Sequence, residues 1–161
     1  MTAAAALTAL LWLWFAGWTF ALTVVDIRQH RLPNRMVAVT LAGCVVITVG
    51  AVWVGGDGLT LVRAVLASAV AVAVFAVGHV VGGMGMGDVK YASVTGWMLG
   101  TIGWSAVWWG HLLGFILAGA LVLVGMVARR IHRKAAIPFG PFMGAGCLVV
   151  GAGALLPAVA L

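Results

Sequence analysis

Long uncharged stretches alternate with short charged ones along the chain, and their lengths predict its elements. Residues 1–25 contain no charged side chain, and Asp26 closes that stretch. Residues 36–56 form a second stretch, ended by Gly55-Gly56-Asp57-Gly58, and residues 64–87 form a third, interrupted only by His79. Residues 91–128 then run for 38 positions without Asp, Glu, Lys or Arg. A single crossing of a bilayer needs about 20 apolar residues. The stretch therefore divides into two helices, at a turn marked by Gly96, Gly100 and Gly103 together with Thr101 and Ser105. Residues 135–161 make the last crossing. The pattern predicts an all-α membrane protein with six transmembrane helices in one domain, residues 1–161. The first stretch has no basic start and exceeds the about 7–15 apolar residues of a signal-peptide core, so it reads as a retained helix.

Composition narrows the class further. Of 161 residues, 65% are hydrophobic and 7% charged, and the mean hydropathy is +1.21. Soluble domains are about 45–50% apolar and about 25% charged, so a soluble enzyme and a disordered tail are both excluded. The net charge of +6 does not point to nucleic acid, because the basic residues form no face that could track phosphates. They lie between the apolar runs, where membrane proteins keep cytoplasmic Lys and Arg. Arg28, Arg31 and Arg35 follow helix 1, Lys90 follows helix 3, and Arg129, Arg130, Arg133 and Lys134 follow helix 5. Only Arg63 falls on the other side. That bias puts both termini outside and makes the lipid bilayer the principal partner. Trp53, Trp97, Trp104, Trp108 and Trp109 then lie near outer helix ends, as an interfacial belt would, whereas Trp12, Trp14 and Trp18 read as core.

Small residues recur four apart at Gly83/Gly87, Gly96/Gly100, Gly110/Gly114 and Gly140/Gly144, a spacing that lets membrane helices approach closely. Cys44 and Cys147 lie inside apolar runs without C-x-x-C spacing, and read as packing residues. His79 and His111 have no His, Cys or carboxylate three or four residues on. They read as packing histidines, and His30 and His132 as solvated ones. No metal site and no cofactor are expected.

The chain has three acids, all aspartates. Asp57, in Gly-Gly-Asp-Gly, reads as a turn residue. Asp26 and Asp88 each mark a cytoplasmic helix end, at one membrane depth. An ionisable group near hydrocarbon is a functional candidate, although an interfacial charge paired with Arg28 or Lys90 is the plainer alternative. Asp88 follows the segment Gly82-Gly83-Met84-Gly85-Met86-Gly87, where the missing Cβ atoms let backbone approach a neighbour. Met84 and Met86 could line a groove or simply pack. Two carboxylates at one depth suit an aspartic dyad, in which one acid activates water and the other donates a proton to a carbonyl.

Asp26 with Arg28, Leu32, Pro33 and Asn34 resembles the first signature of the type IV prepilin peptidases. Gly85-Met86-Gly87-Asp88-Val89-Lys90 is similar to their G-x-G-D-x-K signature, and Ile137-Pro138-Phe139-Gly140-Pro141-Phe142 to the segment opening their last helix. The resemblance implies an aspartic endopeptidase of the inner membrane that removes the basic leader of prepilins or pilin-like proteins. Asp26 and Asp88 would be catalytic, with Gly85, Gly87, Lys90, Pro33, Asn34, Pro138 and Pro141 binding substrate or shaping the site. No paired C-x-x-C segment is present, so the chain looks like the short form associated with tight-adherence (Flp) pili, without methyltransferase activity. A proton-coupled transporter using the same acids, or a non-catalytic assembly protein, are the competing classes.

Overall fold

The computed structural model describes residues 2–29, 31–82, 84–129 and 138–159. Six α-helices account for them: α1 Ala3–Gln29, α2 Asn34–Trp53, α3 Leu59–Val81, α4 Met86–Ile102, α5 Trp104–Val127 and α6 Gly140–Val159. No strand occurs among the described residues. Helices α1, α2, α3 and α5 are long and apolar enough to cross a membrane, and α6 is apolar over Gly140–Ala154. The basic run is described only at Arg129; Arg130, Arg133 and Lys134 lie outside the described residues, as do His30, His132, Gly83 and Ile137.

Charge-free stretches located the helices well and their ends less so. Helix α1 continues to Gln29, so Asp26 lies inside it. Helix α3 begins at Leu59 and includes Arg63, whose Nε donates to the Gly100 carbonyl at 3.3 Å and whose Nη2 donates to Thr60 Oγ1 at 3.3 Å. The guanidinium thus meets the carbonyl-rich end of α4, where a cation is favoured. The third apolar stretch does not run as one helix to residue 87. Helix α3 stops at Val81, Gly82 turns with φ 123°, and α4 starts at Met86.

Helix α4 is the central element, packed by α2, α3, α5 and α6. Its buried residues include Asp88, Val89, Tyr91, Thr95, Trp97, Met98 and Leu99. Protein rather than lipid surrounds it, so a 17-residue helix with polar side chains is tolerated here. The closest packing is against α3. A Cβ on Gly96 would sit 2.8 Å from the Ala67 carbonyl, and one on Gly100 would sit 2.7 Å from the Ala67 Cβ. These glycines are therefore packing residues and not part of the turn, which reduces to Gly103 alone. Trp97 also departs from expectation. It is buried and donates Nε1 to Thr48 Oγ1 at 3.2 Å, whereas Trp53, Trp104, Trp108 and Trp109 are exposed.

Buried polar side chains tie the remaining helices together. Thr19 of α1 and Tyr91 of α4 share a hydrogen bond of 2.8 Å, and Gly144 of α6 leaves room for both. His111 is the packing histidine expected, stacked near Phe75 and bonded to the Val107 carbonyl and to Thr95 Oγ1. Cys44 and Cys147 are buried, free thiols. If the α3–α4 contact sets the bundle, Gly96→Ala should destabilise it by about 1–3 kcal/mol through overpacking. Gly17→Ala, whose Cβ meets nothing within 4 Å, should be neutral. Thermal unfolding of both variants in detergent checks this.

Candidate active site

Three short segments converge at one end of the bundle. The first follows α1 and opens α2. Pro33 holds φ −63° and ψ 127°, which turns the chain, and its carbonyl accepts from Met36 and Val37. The second is the glycine segment that opens α4. Gly85 is its N-cap with an extended backbone, and the Asp88 amide donates back to the Gly85 carbonyl at 3.0 Å. The third is Pro138–Phe139, which opens α6, where Phe142 and Met143 donate to the Phe139 carbonyl. Pro141 sits in the first turn of α6, where a missing amide proton costs nothing.

Leu32 locks these segments together. It is 8% exposed, and it fills the space that Cβ atoms on two glycines would occupy. A Cβ on Gly87 would lie 3.2 Å from Leu32 Cβ, and one on Gly140 would lie 3.3 Å from Leu32 Cδ1. Sequence reasoning quoted Leu32 and Gly140 in their motifs without giving either a place in the site. The Gly140/Gly144 spacing was the available signal.

The two aspartates meet across Gly140. Asp26 is 5% and Asp88 9% exposed, so neither is an ordinary surface charge. The Asp88 carboxylate lies beside Gly85, whose Cβ would stand 3.3 Å from Oδ2, and the backbone amides of Gly85 and Gly140 act on it against burial and the charge of Asp26. On the other side of the same glycine, a Gly140 Cβ would stand 2.8 Å from Asp26 Oδ2. With Gly85 as N-cap, Asp88 stands at the third helical position, from which a capping-box side chain reaches back. Lys90 does not serve as the interfacial partner that the plainer reading gave Asp88. Its Nζ donates to Asn34 Oδ1 at 2.8 Å, and both side chains are exposed.

Both carboxylates line a cavity of about 800 Å³. Arg31, Asn34 and Lys90 give it a polar and cationic side, while Phe115, Ala118 and Val122 of α5, with Phe139, give it an apolar one. Leu32, Met84, Gly85, Met86, Gly87, Gly119 and Pro138 complete the lining. Asp57 stands apart as the turn residue expected, exposed and accepting from the Leu59 amide at 3.0 Å. No group of three or more His, Cys, Asp or Glu among the described residues could hold a metal ion.

Comparison with known proteins decides the class. The model of the type IV leader peptidase family matches residues 13–128. The chain belongs to that family. No curated protein and no solved structure matches it. Family membership, with four helices of membrane-crossing length, makes this leader peptidase homologue a multi-pass membrane protein. The matched residues include Asp26, Leu32, Gly85, Asp88 and Lys90, whereas Pro138 and Gly140 come from beyond the match. If Asp26 is a reacting group, Gly140→Ala should lower peptidase activity about 100-fold, since a displacement of about 1 Å costs that much. The fold should survive, which a cleavage assay paired with a thermal melt can establish.

Proposed function

We propose that the protein is an aspartic endopeptidase that cleaves the basic leader from type IV prepilins or pilin-like proteins. Cleavage takes place at the cytoplasmic face of the inner membrane. The observation supporting this reading is that the buried carboxylates of Asp26 and Asp88, from different helices, flank the backbone of Gly140 in one cavity. Charge bias supports the orientation, with six crossings and both termini outside. Eight of the nine Lys and Arg residues then fall in cytoplasmic segments.

The chemistry follows from two acids sharing a site. The ionised carboxylate takes a proton from water as the water oxygen attacks the scissile carbonyl carbon, and the protonated one gives its proton to the carbonyl oxygen. The resulting gem-diol collapses, the C–N bond breaks, and the leaving amine takes a proton from the dyad. Each carboxyl group changes role between the two steps, so neither works alone. Gly85, Gly87 and Pro138 shape the wall at which the substrate lies, Pro33 and Pro141 set the helix starts behind it, and Asn34 and Lys90 form its polar edge. The aromatic wall from Phe115 and Phe139 faces apolar substrate residues.

Asp26→Asn and Asp88→Asn should each lower cleavage of a co-expressed prepilin by at least about 1,000-fold while inserting normally. Asp57→Asn should keep full activity, because Asn supports the same turn. A gel mobility shift of the prepilin reads all three, and an active Asp88→Asn enzyme would overturn the proposal.

A further inference from the structure

His79 reads from sequence as a packing histidine, but it stands exposed near the end of α3 and makes one specific contact. Its Nδ1–H donates to the Met84 carbonyl at 2.7 Å. That carbonyl belongs to the same planar peptide unit as the Gly85 amide, and in a trans peptide the two point in opposite directions. Gly85 borders the Asp88 carboxylate, a Cβ on it standing 3.3 Å from Asp88 Oδ2, and its amide is one of the two backbone groups that favour the charged form of Asp88. One rigid plane therefore carries His79 at one edge and Asp88 at the other.

Such a plane next to glycine turns over easily, because Gly85 lacks the Cβ that would restrict its φ. A turnover would withdraw the amide and present the carbonyl oxygen to a carboxylate. Two contacts oppose it. One is the His79 bond. The other is the Met84 side chain, which packs so closely on α3 that a Cβ on Gly78 would lie 2.8 Å from Met84 Sδ. We infer that His79 is a positioning residue that locks the Met84–Gly85 peptide and so aims the Gly85 amide at Asp88. This inference rests on the peptidase reading for its effect on rate, but not for its effect on the backbone.

The test uses the full chain with His79→Ala and His79→Asn. Asn places an Nδ2–H where the imidazole places Nδ1–H. Losing a hydrogen bond to a charged group predicts a fall in kcat of about tenfold or more for His79→Ala, with KM little changed. His79→Asn should restore most of it, and the melting temperature should hold in both because the side chain is exposed. Hydrogen exchange at the Gly85 amide, read in glycine-labelled protein, should quicken in His79→Ala and recover in His79→Asn. Unchanged exchange, or equal behaviour of the two variants, would overturn the lock. If the wild-type chain cleaves no prepilin, the peptidase reading fails, while the exchange result still decides the lock.

Discussion

Burying two carboxyl groups inside an apolar bundle is the constraint on which the rest of the arrangement depends. One charged side chain near the middle of a membrane helix costs about 2.5–3.5 kcal/mol on insertion scales, and two near each other repel when both are ionised. At Asp88 the chain offsets part of this cost with backbone. The backbone amides of Gly85 and Gly140 favour the charged form of Asp88, and Gly140 also borders Asp26. Lys90 is turned to Asn34 instead. A backbone donor carries no charge of its own to bury.

That solution dictates the glycines. At Gly85, Gly87 and Gly140 an added Cβ would press on Asp88, Leu32 or Asp26, so the segments cross closely only because these residues are glycine. Leu32 occupies the volume that Gly87 and Gly140 leave empty, so a single side chain holds all three in register. The Thr19–Tyr91 hydrogen bond, passing beside Gly144, links α1 to α4. Site and scaffold are thus built by the same device, small residues where helices cross.

Much of this was legible in the sequence because membrane physics writes in long words. Runs of about 20 uncharged residues locate helices whatever their partners are, and the parity of crossings placed Asp26 and Asp88 at one end. What depends on tertiary partners was not legible. Gly96 and Gly100 carry two readings in the sequence, a turn and a close helix contact, and only the tertiary partner α3 shows that the contact holds. Trp97 reads as part of a surface belt because nothing in its neighbours reveals that α4 is surrounded on most sides. Leu32 and Gly140 stood inside recognisable motifs, yet their contact spans more than a hundred residues and leaves no local trace. His79 lacked a ligand-like neighbour in sequence because its partner is a backbone carbonyl.

The central claim is that Asp26 and Asp88 act as one catalytic unit. Residual single-turnover cleavage rates of Asp26→Asn, Asp88→Asn and the double variant test it most directly. Groups that work only together are strongly non-additive when removed. The double variant should therefore be no slower than the slower of the two single variants. Rate losses that multiply in the double variant would mean independent roles, and would contradict the account.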